Sequence, residues 1–455
     1  HFPNSLSLYN FCGAASRGLG HFDAAIDSYK QALKIKPDYA DAYNNMGNAL
    51  NDKGDLKAAI VSFKKALKIK PDYAEASYNM GNTLQNKGDL DAAIDSYKQA
   101  IKTKPDYAEA YYDMGNILNE KGDLGAAISS FKQAIKIKPD YAYAYYNMGL
   151  ALGNKGDLET AIKSYKQALN IKPDYPEAYN NMGNALSSKG DLKAAIDSYN
   201  QALKIKPNYL EAYYNMGNAL KDKGDLKAAI DSFMWALKIE PNYAKAHFNL
   251  GVLLLEMGHP KEATEHFKFS HANSQYYLLR CLYLQDKKSL FYDQLDYLID
   301  QDEIHPIIGS LVCRSAIKYG IERPNLFCTD PLDYVLQTDL CNQYNFEKIF
   351  VSTARTILQE HRVPNRIQPL LFNGYQTSGN LFSSECYLTE EIQKIIRLEI
   401  DKYLVRFKDS NEGVITSWPT DYNLYGWLVS MKSGGQLRPH MHEKGWLSGS
   451  IYINV

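Results

Sequence analysis

The chain has no long hydrophobic run, no closely spaced pair of cysteines and no excess of charge of either sign. Each absence removes a class of protein. No apolar stretch reaches the roughly 20 residues that a membrane-crossing helix needs, so no membrane partner is expected. Lysine and arginine number 51 against 52 acids, a net charge of −1. That balance gives no electrostatic reason to expect nucleic acid or a membrane surface as a partner. The six cysteines are Cys12, Cys281, Cys313, Cys328, Cys341 and Cys386, and none forms a Cys-x-x-Cys pair. Reduced thiols in a cytoplasmic protein are expected rather than a disulfide framework. No signal-peptide pattern follows His1. A length of 455 residues is too much for one ordinary core, so two or three domains are expected.

What the chain does have is a period. Pro37, Pro71, Pro105, Pro139, Pro173, Pro207 and Pro241 follow one another at a fixed spacing of 34 residues. A period of that length marks one helix–turn–helix unit, stacked. In the unit Ala40–Tyr73, helix A is expected from Ala40 to Asp52 and helix B from Asp55 to Lys68. Gly54 turns between them and Pro71 stops the second. Asp72 followed by Glu75 has capping-box spacing, repeated at Asp106/Glu109 and Asp174/Glu177, so these aspartates are expected to cap the A helices. Tyr43, Met46, Gly47 and Leu50 share one side of helix A, and Leu56, Ala59, Ile60, Phe63, Ala66 and Leu67 one side of helix B. Gly47 and Ala59 are small enough to let the helices approach closely, and neither helix can bury its apolar face alone.

These positions resemble the tetratricopeptide-repeat signature: a large residue, Leu-Gly, then Ala, Phe/Tyr, Ala and Pro. The resemblance covers residues 6–277 as eight units. The first unit keeps Gly13, Gly20, Ala25, Tyr29 and Ala32, and the eighth keeps Gly251, Gly258, Ala263 and Phe267 but loses the proline. Atypical ends suit caps of a solenoid.

One column in helix A is not dictated by packing. Asn45, Asn79, Asn147, Asn181, Asn215 and Asn249 recur, with Asp113 in the fourth unit. A second column holds Asn48, Asn82, Asn116, Asn184 and Asn218. Asparagine is a poor residue for a helix interior. The first column resembles the asparagine ladder in the repeats of O-GlcNAc transferases, which implies a concave face whose amides bind an extended protein or peptide ligand. Duplication of one unit, which copies every residue whether used or not, explains the columns equally well. Tyr78, Tyr112, Tyr146 and Tyr214 add aromatic surface beside the ladder.

After residue 277 the period stops. Residues 278–345 are expected to be a helical adaptor, with helices over Leu278–Gln285, Ser289–Ile299 and Ile307–Tyr319. His305 and His361 are read as ordinary polar residues. From about 346 to 455 a third domain is expected. It opens with a loop-rich segment at Gly374–Asn380 and an amphipathic helix from Thr389 to Phe407 whose stripe is Ile392, Ile395, Ile396, Tyr403, Leu404 and Phe407. Three strands should follow: Tyr425–Met431, a turn at Ser433-Gly434-Gly435, Gln436–His442, and Ser450–Val455.

Residues two apart on a strand share a face, so His440 and His442 project together at a spacing suited to one metal ion. Gly434 through His442, then Trp446–Ile453, resembles the core of the 2-oxoglutarate/Fe(II)-dependent oxygenases. The resemblance implies a double-stranded β-helix (jelly roll), Fe(II), and 2-oxoglutarate as co-substrate. It implies His440 as an iron ligand and His442 as a second ligand or the orienter of the first, with Tyr425 and Trp427 lining the pocket. The common triad is His-x-Asp/Glu with a distant histidine, whereas here His442 holds the carboxylate position. The distal histidine and the basic partner of 2-oxoglutarate would lie beyond Val455, so the chain is expected to be a fragment carrying half of a site. The spacing Gly434-x5-His440-x-His442 also matches the start of a cupin motif, without its glutamate.

The sequence therefore predicts an all-α tetratricopeptide-repeat superhelix at residues 1–277, the adaptor, and a mixed α+β domain with a partial jelly roll. The leading function is an oxygenase whose repeat arm recruits a protein substrate. The alternative is a non-enzymatic scaffold for protein–protein interaction. A glycosyltransferase ranks third, because residues 278–455 lack the alternating strand–helix units that nucleotide-sugar binding uses.

Overall fold

The computed structural model describes residues 5–270, 274–329, 340–341, 343–359, 365–366, 371–377, 389–416 and 429–437. By their contacts the residues divide into two units, His1–Ala246 and His247–Val455.

In the first unit the period becomes seven helix pairs. The A helices are α1 Leu6–Gly18, α3 Ala40–Lys53, α5 Ala74–Asn86, α7 Ala108–Glu120, α9 Ala142–Asn154, α11 Pro176–Ser188 and α13 Leu210–Lys223. Their B partners are α2 Phe22–Ile35, α4 Leu56–Ile69, α6 Leu90–Thr103, α8 Leu124–Ile137, α10 Leu158–Ile171, α12 Leu192–Ile205 and α14 Leu226–Ile239. Gly54 makes the turn of the second pair at φ +90°, where a residue with a side chain would be strained. Its neighbour Asp55 then caps α4, its carboxylate accepting from the Ala58 N–H at 3.0 Å. Asp123, Asp157, Asp191 and Asp225 cap their B helices in the same way.

The capping boxes expected at the A helices do not form. The residue at the start of α5 is Tyr73, not Asp72, and its side chain makes no cap; Tyr107 and Tyr175 take the same place before α7 and α11. The reason is the turn. The Tyr73 N–H bonds to the Lys70 carbonyl at 3.2 Å, which carries the chain one residue further before the helix begins. Asp72 is thus left too early to reach the first free N–H groups.

Helix B packs on its expected stripe, whereas α3 buries Ala40, Ala42, Asn44, Gly47 and Ala49 and leaves Tyr43, Met46 and Leu50 of the expected stripe only partly covered. Phe63, Ala59 and Ala66 are fully buried, and a Cβ placed on Gly47 would stand 2.7 Å from the Phe63 ring. The buried residues form clusters that each cross from pair to pair: one runs from Ala127 in α8 to Ala219 in α13, another from Ile60 in α4 to Ile117 in α7, and a third joins α2 and α3. Each pair thus buries its faces against the next, as a solenoid must.

In the second unit, α15 (Ala244–Glu256, which begins just before the unit does) is followed by the short α16, Pro260–Phe267. Next come α17 Ser274–Leu284, α18 Lys288–Asp300 and α19 Pro306–Tyr319, close to the three predicted helices. They share a core of Leu279, Leu282, Phe291, Leu295, Leu298, Ile307, Leu311 and Val312. A π-helical turn at Glu347–Val351 leads into α20, Ser352–Gln359. The amphipathic helix forms as α21, Glu390–Arg406, with Ile395 and Tyr403 buried; α22 is Gly413–Thr416.

Three strands are described: β1 Asn365–Arg366, β2 Leu371–Thr377 and β3 Val429–Leu437, antiparallel in the order β1-β2-β3. Two predictions change here. Gly374–Thr377 belongs to β2 rather than to a loop. Ser433-Gly434-Gly435 does not reverse the chain, because β3 pairs antiparallel with β2 on both sides of it: Met431 faces Gly374 and Gln436 faces Phe372. Four residues of β3 therefore sit opposite one of β2, as a bulge that the two glycines make easy. The remaining predicted strand residues, 425–428, 438–442 and 450–455, lie outside the described residues. Among the described residues three strands do not amount to a jelly roll.

Candidate functional site

His440 and His442 lie outside the described residues, as do Tyr425, Trp427, Glu443 and His361. The structure gives them no geometry. The site that it does describe is on the A helices.

The first asparagine column is engaged between repeats. The Asn45 amide donates to Asn10 Oδ1 at 3.1 Å, and Asn79 to Asn44 Oδ1 at 3.0 Å. Asn147 donates to the Tyr112 hydroxyl at 3.0 Å, Asn181 to the Tyr146 hydroxyl at 2.8 Å, and Asn215 to Asn180 Oδ1 at 3.1 Å. In the remaining step Tyr78 donates to Asp113 Oδ2 at 2.7 Å. All six steps between the seven pairs carry such a rung, always between one residue and another 35 positions away. The partner column is Asn10, Asn44, Tyr78, Tyr112, Tyr146 and Asn180. Sequence reading treated its tyrosines as nearby surface and missed its asparagines. The signal was present, because each of these residues can form a hydrogen bond through an amide or a hydroxyl. The amides thus serve the stack itself, tying each repeat to the one before.

The rungs also hold the side chains in place. A carboxamide has two N–H donors and two acceptor lone pairs, and each rung from Asn79, Asn181 or Asn215 takes one N–H. These asparagines remain partly exposed. Asn249 sits in α15, in the second unit, also partly exposed.

The second column has its own role. Asn82 Oδ1 accepts from the buried Tyr97 hydroxyl at 2.7 Å, and Asn184 Oδ1 from Tyr199 at 2.8 Å. Asn116 Oδ1 accepts from Asn147 at 2.7 Å. Asn48 and Asn218 fall in repeats whose B helix carries Phe63 and Phe233 at that place, which offer no hydroxyl.

Tyrosine rings line the same face. Tyr78, Tyr112 and Tyr146 pack on Tyr107, Tyr141 and Tyr175, each pair at 4.8 Å between centroids. Lys104, Lys138 and Lys172 stand over the far rings at 4.6 to 4.9 Å. Burial raises the hydroxyl pKa of Tyr107 to about 12, so it stays protonated. Asp113 is the one carboxylate in the row. Burial pushes its pKa up, the Tyr78 hydroxyl pulls it down, and Glu109 raises it further.

A separate cleft of about 640 Å³ opens between Asp197, Gln201 and Lys204 of α12 and Tyr213 and Met216 of α13. Beside it Trp235 stacks on Tyr213 at 5.8 Å and 13°. In the second unit, His305 has a structural role. Its Nδ1 accepts from the Ile307 N–H at 3.2 Å, capping α19, and its ring stacks on Tyr276 at 4.0 Å.

The tetratricopeptide (TPR) repeat model matches this chain in seven segments: 13–51, 47–88, 86–118, 115–156, 154–190, 183–224 and 217–258. They span more than half of the sequence, and the chain belongs to the TPR repeat proteins. Among curated proteins none matches. Similar solved structures include MamA, 35% identical, covering 35% of this chain and 94% of that one at a TM-score of 0.34. Another is YrrB, described as a TPR protein with an unusual peptide-binding site, 23% identical over 40% of this chain and 95% of that one, TM-score 0.38. Pseudomonas aeruginosa pilF is 19% identical over 46% of this chain and 94% of that one, TM-score 0.40. Among the described residues no helix is long and apolar enough to cross a membrane.

Proposed function

We propose that the repeats are a scaffold that binds an extended peptide segment of a partner protein along the row of A-helix amides. The observation that supports this reading is the rungs themselves. They fix Asn79, Asn181 and Asn215 in one orientation with a second N–H still to be used; among the described residues the side-chain oxygens of Asn79 and Asn215 accept nothing, and that of Asn181 accepts from the Asn180 amide at 3.2 Å and keeps one lone pair. Side chains already held in place lose less freedom on binding, and an amide can both donate to and accept from a peptide backbone. The row therefore offers backbone recognition with little dependence on the ligand's side chains. The concave face of the stack is where such a segment would lie.

The test is selection from a random-sequence phage-displayed peptide library on the full chain, followed by titration of the enriched peptides. Asn181→Ala and Asn215→Ala are compared with the parent after circular dichroism shows unchanged helicity. Weakening of about tenfold per variant is expected for a lost amide contact. Unchanged affinity would show that the amides serve the stack alone, and the absence of any enriched peptide would sink the scaffold reading.

A second reading rests on the sequence pattern around His440 and His442, which follow β3 directly. In it the chain joins a recruiting arm to iron(II) and 2-oxoglutarate oxygenase chemistry. Anaerobic Fe(II) binding by this chain and by His440→Ala decides it. Loss of bound iron in the variant supports the reading, and no iron in the parent ends it.

A further inference from the structure

Asp113 departs from its column in two ways. It is the acid where Asn45, Asn79, Asn147, Asn181 and Asn215 are amides, and its rung runs in the opposite sense, with the Tyr78 hydroxyl donating to it at 2.7 Å. The stack does not require this. An asparagine at 113 would keep a rung to Tyr78, as Asn147 does to Tyr112 and Asn181 to Tyr146. The carboxylate comes at a cost, since most of it is withdrawn from water and Glu109 repels it.

What it lacks is a cation. Oδ2 takes the Tyr78 hydroxyl, and Oδ1 has no hydrogen bond among the described residues. The groups that act on its charge are Tyr78 and Glu109, with no lysine or arginine among them. Lys104 and Lys138 are engaged with other groups: Lys104 stands over Tyr107, and Lys138 over Tyr141 with its ammonium 3.9 Å from Glu109. Around the carboxylate stand the ring pairs Tyr78–Tyr107 and Tyr112–Tyr141. A half-desolvated anion attracts a cation more strongly than one in water, and tyrosine rings add surface for an aliphatic stem.

We infer that Asp113 is the specificity-determining residue of the amide row and takes the lysine or arginine side chain of the bound peptide. This rests on the peptide-binding reading above and deepens it: the amides hold the backbone, and Asp113 sets the register by choosing a basic residue. A charge-assisted pair of this kind shifts affinity by about tenfold or more.

The experiment uses the full chain and three degenerate peptide libraries, alike except for a central residue fixed as lysine, arginine or norleucine. Retention is measured on the parent and on Asp113→Asn, which restores the amide that six other repeats carry. The parent is expected to retain the lysine and arginine libraries about tenfold over norleucine, and Asp113→Asn to retain all three at the norleucine level. Equal retention by the parent, or a basic preference that survives in Asp113→Asn, overturns the assignment while leaving the scaffold reading in place. No retention of any library by either protein overturns both.

Discussion

At the scale of the residue, two glycines in helix A positions have opposite uses. A Cβ on Gly115 would lie 2.7 Å from the Phe131 ring, whereas one on Gly153 would meet nothing within 4 Å. Alanine is the better helix former by about 1 kcal/mol, so Gly153→Ala is expected to stabilise by about 0.5–1 kcal/mol. Gly115→Ala forces Phe131 aside at a cost of about 1–3 kcal/mol, which outweighs the propensity gain. Urea unfolding of both variants reads the two signs; stabilisation by Gly115→Ala would mean that the ring moves freely. The rungs make a second prediction. Asn181→Ala leaves the Tyr146 hydroxyl without its donor and costs about 1 kcal/mol. A double-mutant cycle with Tyr146→Phe should recover a coupling of about 0.5–1 kcal/mol, and zero coupling would show the rung to be incidental.

At the scale of the element, the helix starts are where sequence reading and structure part. Asp55, Asp123, Asp157, Asp191 and Asp225 cap their B helices, while the expected caps at the A helices fall one residue short of the helix. His305 is the unexpected cap, and it titrates. Burial lowers its pKa below the ordinary 6.5, with Glu303 opposing. The unfolded chain therefore takes the proton more readily than the folded one. Stability from this residue is complete above about 6.5 and declines as pH falls below it toward the folded pKa. A protonated Nδ1 also cannot accept from Ile307. As pH falls from about 7.5 to about 5, protection of the α19 amides, taken relative to their intrinsic exchange rates at each pH, should decrease. His305→Asn, a cap that does not titrate here, should remove the dependence; exchange that changes equally in the variant would place the cause elsewhere.

At the scale of the molecule, a stack in which each repeat touches only its neighbours has stability that varies along its length. In the first unit, hydrogen exchange should be slowest through α5–α12, whose repeats bury both sides, and faster in α1, where Phe11 is 72% exposed. Uniform protection from α1 to α14 would show a single cooperative block instead of a chain of interfaces.

Much of this protein was fixed by sequence alone. The 34-residue proline period, the glycine opposite the ring of the same pair and the apolar stripes each record a local need, namely a helix stop, a close approach or a buried face. Needs of that kind repeat wherever the unit repeats, so they can be read from one copy. The meaning of the asparagine column was not local. Asn215 is explained by Asn180, and Asp113 by Tyr78, residues one repeat away that come within hydrogen-bond reach only when the helices stack. The glycines at 434 and 435 likewise suggest a turn until β2 is seen to pair on both sides of them. Hydrogen bonds between elements depend on register, and register is set by packing across the whole stack or sheet. That is why tertiary structure, and not the pattern of residues, decided what the amides and the carboxylate among them are joined to.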